Sequence, residues 1–329
     1  MYEKLRVLTG TAHPTLADDI CKHLGILKSV VTIQKFSNEN IFVQLNESVR
    51  AKDVFIVQPF ASDVNEHIME LLILLDTCKR ASADRITAVI PYFAYGRSDK
   101  KDQPRVPITA RLLADLVAVA GANRVVTIDL HAQQIQGFFS IPMDEITALP
   151  LLAAHFREKA KATDPAERLD LRKTVVVSPD IGAAKRARDL AVHLGIDNQF
   201  AIVNKRRNPK TREVDALSII GRVAGKHAIL IDEEIDTGNS IMAANNALCR
   251  AHAQDVYVCC THPVFSGDCK TIMAPFPFNE IVVTDTLPVP CEKALPHLVS
   301  VSVAPLLADV IASIHLGTSL GKVLGEKYA

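Results

Sequence analysis

Short runs of aliphatic, largely β-branched residues alternate with stretches of helical spacing, and this alternation constrains the fold more than any other feature. The strand-like runs are Val54–Gln58, Ile86–Ile90, Val125–Asp129, Thr174–Ser178, Ala228–Ile231, Val256–Cys260 and Ile281–Thr284. Helical spacing of apolar residues occupies Asn65–Ala81, Thr109–Ala120, Ala183–Leu194 and Ser240–His252. Strand, helix and strand in succession predict an α/β fold with a mainly parallel sheet flanked by helices. Ligands of such sheets bind at the carboxyl ends of the strands.

A polar segment divides the chain into two parts that each hold several strand and helix units. The chain has 329 residues, of which 48% are hydrophobic, so it is long enough for one large or two medium domains with proper cores. The segment Lys159–Lys173 is rich in charges and separates the two parts. We therefore predict an N-terminal domain of residues 1–160 and a C-terminal domain of residues 161–329.

Charge and cysteine content exclude several classes of protein. Lys plus Arg number 37 and so do Asp plus Glu, so no overall field would hold the chain on a nucleic acid or an anionic membrane. Seven cysteines without a C-x-x-C pair give no disulfide framework, which fits reduced thiols in the cytoplasm. No apolar run reaches the ~20 residues that span a bilayer. We expect a cytoplasmic protein with no nucleic-acid or membrane partner.

The stretch ILIDEEIDTGNS, from Ile229 to Ser240, places four carboxylates directly after an aliphatic run. If the strand ends at Ile231 and a helix begins near Ser240, the intervening turn presents backbone N–H groups that favour a phosphate. The acids would repel that phosphate, but they suit the hydroxyls of a sugar, directly or through a metal ion. This pattern favours a sugar phosphate as ligand, and a solvated acidic loop is the alternative.

Two further groups of residues carry possible chemistry. His131 and Asp180 each follow a predicted strand, and together they could hold Mg²⁺ on nucleotide phosphates, although an ordinary hydrogen-bonded histidine is the simpler interpretation. The segment Asn204–Asp215 is strongly cationic. It is either a solvated surface loop or a mobile loop whose cations stabilise charge on transferring phosphoryl groups.

Ordered motifs over nearly the whole chain resemble the ribose-phosphate pyrophosphokinases, also called phosphoribosyl diphosphate synthetases. These motifs are NESVRAKDVFIVQ (Asn46–Gln58), RASADRITAVIPYFAYGRSDKKD (Arg80–Asp102), DLHAQQIQGFF (Asp129–Phe139), VVVSPDIGAAKRA (Val175–Ala187), NKRR (Asn204–Arg207), ILIDEEIDTG (Ile229–Gly238) and THPVFSG (Thr261–Gly267). The resemblance implies two phosphoribosyltransferase-like α/β domains, usually in a homo-oligomer (dimer or hexamer). It also implies transfer of the diphosphate of ATP to the C1 hydroxyl of ribose 5-phosphate with Mg²⁺, giving phosphoribosyl diphosphate and AMP.

The same resemblance assigns roles to individual residues. The implied catalytic residues are Lys205 and Arg207, and the implied metal ligands are His131 and Asp180. The implied nucleotide-binding residues are Phe36, Asn38, Asn40, Arg97 and Ser98, and the implied ribose 5-phosphate-binding residues are Asp232, Glu233, Asp236, Thr237, Gly238, Asn239 and Ser240.

The sequence departs from the family pattern at five of these positions, and two other functions stay open. Asn38 and Asn40 stand where the family has acids, so a base other than adenine is conceivable, and Ser98 stands where it has a glutamine. Asn239 stands where the family has a glycine, which brings a side chain into a tight turn, and Ser240 stands where it has a threonine, which keeps a hydroxyl. The alternatives are a phosphoribosyltransferase, which shares the acid pair and the D-T-G turn on a shorter chain, and a non-catalytic regulatory homologue of the synthetase.

Overall fold

The computed structural model describes residues 2–164, 167–207 and 214–327, without the side chains of 205–207 and 214–217 and of four positions in the last helix. It separates into two compact units. The first contains the chain up to Thr147, together with Thr286–Pro288 and the segment from Ser302 onward; the second contains Ala148–Asp285 and Val289–Val301. Within the described residues no helix is both long enough and apolar enough to cross a membrane.

The first unit is built on a parallel sheet. In chain order its elements are β1 (Leu5–Thr9), α1 (Pro14–Leu24), β2 (Val31–Lys35), β3 (Ile41–Leu45), β4 (Asp53–Val57), α2 (Val64–Arg80), β5 (Arg85–Ile90), α3 (Thr109–Ala120), β6 (Arg124–Ile128), a 3-10 helix (Gln133–Phe138) and β7 (Met143–Ile146). Five of these strands form one sheet in the order β1-β4-β5-β6-β7, and all neighbours in it are parallel. β2 and β3 pair separately as an antiparallel hairpin.

The second unit is built on a larger sheet. Its elements are α4 (Leu149–Ala160), a 3-10 helix (Leu171–Lys173), β8 (Thr174–Ser178), α5 (Ala184–His193), β9 (Phe200–Arg207), β10 (Val214–Ile220), β11 (His227–Ile235), α6 (Asn239–Arg250), β12 (Val256–Pro263), α7 (Cys269–Met273), β13 (Glu280–Thr284) and β14 (Leu298–Val301). The seven strands lie in the order β10-β9-β8-β11-β12-β13-β14, and only β10 runs antiparallel to its neighbour.

Alternating residues of the central strands in the second unit enter two cores, one on each face of the sheet. On one face Val177 and Leu230 pack with Ile241 and Leu248 of α6. On the other face, residues of the same strands pack with Leu190 of α5 and with α4. Both faces are therefore covered, and this is why the strands read as continuous apolar runs in the sequence. The predicted α/β class with mainly parallel sheets is confirmed.

The predicted boundary at residue 160 is wrong by one helix, and the chain returns to its first unit at the C-terminus. α4 belongs to the second unit because Leu152 and Phe156 are buried in the core that α5 also covers. The last two helices, α8 (Ala304–Leu316) and α9 (Leu320–Lys327), belong to the first unit. There Nδ1 of His315 donates a hydrogen bond of 2.7 Å to Oδ2 of Asp53, at the start of β4.

Candidate active site

The acidic stretch of the second unit lies inside a strand, which corrects the prediction that the strand ends at Ile231. β11 continues to Ile235 because β12 pairs with it as far as Ile235 opposite Pro263. β8, on the other side, pairs with β11 only as far as Leu230. Asp232 and Glu233 therefore project from a strand that has passed the end of its neighbour, and both are half-buried. This places them at the carboxyl edge of the sheet, as expected.

A sharp turn joins this strand to α6. Gly238 precedes the first helical residue with φ 80° and ψ −10°, in the left-handed region that favours glycine. In the described part of the chain no side chain caps this helix, so its first backbone N–H groups face the turn formed by Thr237 and Gly238. Together with the helix dipole they form a site suited to an anion.

Asn239 does not crowd the turn as the sequence suggested. Its side chain is exposed, and its Nδ2 donates a hydrogen bond of 3.1 Å to Oγ1 of Thr237. Ser240 is exposed as well. The Asn239 amide thus contacts the turn through the hydroxyl of Thr237 and is not packed inside the protein.

Asp180 lies with the acids of β11, since the strand that precedes it, β8, is the parallel neighbour of β11. Its Oδ1 accepts a hydrogen bond of 3.2 Å from the backbone N–H of Ala183. Burial raises the pKa of Asp232 well above its usual value, and the charges of Glu233 and Asp180 raise it further. The carboxylates of Glu233 and Asp180 therefore lie near enough to act on Asp232, whose Oδ1 also accepts a hydrogen bond of 2.9 Å from the N–H of Glu233.

Ser266 and Met273 support this site, and no local signal in the sequence marked them as site residues. The hydroxyl of Ser266 donates a hydrogen bond to Oδ1 of Asp236, and the Ser266 N–H donates to the Asp236 carbonyl at 3.0 Å. Met273 is fully buried and lies against Gly238. Both residues come from the segment after β12, so only the parallel pairing of β11 with β12 reveals their role.

The first unit brings Arg97, Ser98 and His131 to one edge of its sheet, after the adjacent strands β5 and β6. A Cβ added to Gly96 would lie 3.2 Å from Cβ of His131, so the two loops touch. Arg97 and His131 are exposed. The Ser98 hydroxyl instead lies at the start of α3, where it accepts a hydrogen bond of 3.2 Å from the N–H of Thr109. Ser98 thus has a structural contact of its own.

The predicted nucleotide loop is the tip of the β2–β3 hairpin. Phe36 is half exposed, and its ring packs at 5.9 Å between centroids against Phe42. The side-chain oxygen of Asn38 accepts from the N–H of Asn40 at 3.2 Å, and the carbonyl of Asn40 accepts from the N–H of Phe36 at 2.9 Å. Asn38 therefore shapes the tip of the hairpin as an acid at this position would.

Two sets of predicted residues are not brought together in the structure as described. Lys205 and Arg207 lie in β9, where the backbone pairs with β10, but their side chains lie outside the described part of the chain. His131 belongs to the first unit and Asp180 to the second. Among the described residues, no three His, Cys, Asp or Glu side chains form a group that could hold a metal ion by themselves. The metal pair thus stays a prediction.

Comparison with known proteins identifies the family. A family model described as the N-terminal domain of ribose phosphate pyrophosphokinase matches residues 5–121, and one described as the phosphoribosyl synthetase-associated domain matches residues 153–325. The ribose-phosphate pyrophosphokinase of Rhodopirellula baltica is 45% identical over 98% of this chain and 99% of its own. The chain belongs to the ribose-phosphate pyrophosphokinase family. The ribose-phosphate pyrophosphokinase of Clostridium acetobutylicum is 44% identical over 99% of this chain and 98% of its own.

A solved structure supports the same assignment for the fold. The crystal structure of phosphoribosylpyrophosphate synthetase from Mycobacterium smegmatis aligns with a TM-score of 0.87 and 40% identity, covering 96% of this chain and 100% of that one. The resemblance inferred from the motifs is confirmed, and the chain is an enzyme of phosphoribosyl pyrophosphate synthesis. Enzymes of this family are diphosphokinases that generally require a divalent metal.

Proposed function

We propose that this chain transfers the diphosphate group of ATP to the C1 hydroxyl of ribose 5-phosphate, giving phosphoribosyl diphosphate and AMP. One observation carries the proposal: a left-handed glycine turn at the start of α6 directly follows half-buried carboxylates at the end of β11. An anion seat beside hydrogen-bond acceptors matches a molecule with a phosphate at one end and hydroxyls at the other. Ribose 5-phosphate has this arrangement.

The sugar is held by both parts of that site. Asp232 and Glu233 accept hydrogen bonds from the ribose hydroxyls, and the turn from Thr237 to Ser240 receives the 5-phosphate through its backbone N–H groups. Burial raises the pKa of Asp232, and the charges of Glu233 and Asp180 raise it further, because like charges repel one another. Hydroxyl donors and a nearby cation relieve that repulsion, so the unliganded site is prepared for the sugar.

The remaining roles concern the triphosphate. Arg97 binds phosphate or stacks on the base, because its planar guanidinium suits both. Ser98 and the hairpin residues Phe36, Asn38 and Asn40 form the nucleotide side of the site. Lys205 and Arg207 stabilise the charge that builds on the transferring phosphoryl oxygens. The oxygen of the C1 hydroxyl bonds to the β-phosphorus of the triphosphate and its proton is lost to water. The bond from that phosphorus to the oxygen that bridges it to the α-phosphorus breaks, and the nucleoside monophosphate leaves with that oxygen.

Magnesium fits the residues present. Mg²⁺ prefers oxygen ligands and is usually held by one or two carboxylates together with substrate phosphates and waters, so it does not need a group of three protein ligands. Asp180 supplies such an oxygen beside two further carboxylates, and His131 is the proposed ligand from the first unit, although imidazole is unusual for this ion. When bound, Mg²⁺ neutralises charge on the triphosphate during transfer.

The proposal is tested by supplying ribose 5-phosphate, Mg²⁺ and one of ATP, GTP, UTP or CTP, each labelled separately on the β- and γ-phosphates. Diphosphate transfer moves both labels together onto the sugar and leaves a nucleoside monophosphate. The four donors also test the altered hairpin tip, since amides can donate hydrogen bonds that acids cannot. No monophosphate from any donor would contradict the proposal.

The same assay separates the alternatives. A phosphoribosyltransferase would instead release diphosphate from phosphoribosyl diphosphate only when a base is added. A non-catalytic homologue would bind triphosphate without turnover and co-purify with a second synthetase. Assembly as a homo-oligomer, a dimer or a hexamer, is part of the proposal and is measured by light scattering of the purified protein.

A further inference from the structure

The segment that follows β12 holds the proposed phosphate turn at both ends. At one end Ser266 binds Asp236 twice, through its N–H to the carbonyl at 3.0 Å and through its hydroxyl to Oδ1. At the other end Met273, the last residue of α7, lies beneath Gly238, where an added Cβ would be 2.8 Å from its Sδ. The carbonyl of Ser266 accepts from the N–H of Cys269 at 3.2 Å, which connects the two contacts.

An unusual backbone conformation directs Ser266 toward Asp236. Phe265 has φ 45°, which is uncommon for an aromatic residue. Its ring is buried in the core beside Ile235, and its N–H donates to the Ile235 carbonyl at 2.9 Å. These contacts extend the β11–β12 ladder beyond the end of both strands and turn the chain so that the next residue meets Asp236. Strained residues held by their surroundings are common next to functional sites.

We propose that Ser266 is a positioning residue for ribose 5-phosphate. By holding one oxygen of Asp236, it fixes that carboxylate and the adjoining backbone of Thr237 and Gly238, whose N–H groups receive the 5-phosphate. The proposal deepens the function proposed above and rests on it. Ser266 acts through Asp236 and not on the reacting atoms, so its loss weakens binding of the sugar phosphate more than binding of the nucleotide.

The first test compares Ser266→Ala with Ser266→Thr, which keeps a hydroxyl on the half-buried position. A hydrogen bond to a charged group accounts for about tenfold to a hundredfold in binding. Ser266→Ala is expected to raise KM for ribose 5-phosphate by that factor, with KM for ATP changed less than about twofold and kcat changed less than KM. Ser266→Thr is expected to restore most of the loss. An equal rise in both KM values, or a threonine variant as poor as the alanine variant, would overturn the proposal.

A second test asks whether Ser266 acts through Asp236. In an Asp236→Ala background the hydroxyl has no carboxylate to hold, so adding Ser266→Ala should change KM for ribose 5-phosphate less than about twofold further. Multiplying losses would show that the two side chains act separately and would refute the positioning role.

A third test does not depend on activity. Amide hydrogen exchange of residues 236–242 in the unliganded protein should be faster in Ser266→Ala. Ser302→Ala is the control, because its exposed hydroxyl accepts a hydrogen bond of 3.2 Å from the nearby N–H of Ala304 and lies in a different segment from Asp236. Unchanged exchange in Ser266→Ala would refute the proposal. If the parent protein makes no product from ribose 5-phosphate, the proposed function fails while this measurement still decides what Ser266 does.

Discussion

Replacing Gly238 by alanine perturbs the phosphate turn in two separable ways. The residue has φ 80°, which an L side chain rarely adopts, and its new Cβ would lie 2.8 Å from both Cγ and Sδ of Met273. Met273 is fully buried, so it cannot move aside without disturbing the core. Gly225 provides a matched control in the same unit, since it has φ 68° and a Cβ there would meet nothing within 4 Å.

Backbone strain is expected in both variants, whereas overpacking is expected only in Gly238→Ala. The left-handed conformation costs about 1–2 kcal/mol for a residue with a Cβ, and this applies to both glycines. Overpacking costs about 1–3 kcal/mol more, and this applies to Gly238 alone. We therefore expect Gly238→Ala to be destabilised by roughly 2–5 kcal/mol and Gly225→Ala by the strain alone, about 1–2 kcal/mol. Only Gly238→Ala should also weaken binding of ribose 5-phosphate, because only that turn carries the phosphate.

Urea unfolding and calorimetric titration with ribose 5-phosphate measure both quantities. The packing part can be isolated with Met273→Ala, which leaves a cavity beneath the turn. The double variant should be more stable than the sum of the two single losses predicts, by about the overpacking term of 1–3 kcal/mol. The reasoning is refuted if the two losses add within about 0.5 kcal/mol, or if Gly238→Ala binds ribose 5-phosphate as tightly as Gly225→Ala.

Three other substitutions test the site and its surroundings. Lys205→Ala should leave ribose 5-phosphate binding largely intact and lower kcat at least a hundredfold, about 2.7 kcal/mol of transition-state stabilisation; near-normal turnover would remove that role. Asp232→Asn should raise the melting temperature at neutral pH while abolishing activity, because burial and the nearby carboxylates raise the folded-state pKa of Asp232, so its carboxyl group costs stability there; the gain should shrink as pH falls below that pKa and disappear only below the ordinary value of 3.8. Although burial opposes it, the hydrogen bond from His155 lowers the pKa of Glu280 below its usual 4.5, so this carboxylate stabilises the fold above pH 4.5 and less as pH falls further. Glu280→Gln should therefore lose about 1 kcal/mol at pH 7 and progressively less as pH falls below 4.5, as measured by urea unfolding across pH.

The sequence predicted the strands and helices well where burial is two-sided. The helix Thr109–Ala120 agrees with the structure at both ends, and Asn65–Ala81 is displaced by one residue. Such elements are determined by local periodicity, which one chain displays directly. The class of fold follows from them, since consecutive parallel strands need the intervening helices.

Contacts between distant segments were not predictable in this way. The acids of β11 lie inside a strand because β12 extends the ladder, whereas Asp and Glu are depleted in strands and suggested its end. The C-terminal α8 belongs with the first unit, where Asp53 accepts hydrogen bonds from both Arg85 and His315. Asp53 and His315 are 262 residues apart in the sequence, and no local pattern indicates that they pair. Ser266 meets Asp236 for the same kind of reason, through a strand pairing that the sequence does not encode locally.

The features that make the second unit a candidate site are the ones that reduce its stability. Asp232 is half-buried beside carboxylates that raise its pKa, Gly238 leaves the turn dependent on a residue without a Cβ, and Phe265 is held at a positive φ. Each is unfavourable by itself, and each is maintained by the buried core around β11 and α7. A ligand that brings hydroxyls, a phosphate and a cation compensates for the first directly and orders the second. Because such a ligand binds only the folded form, its binding energy is added to the stability that the unliganded site lacks.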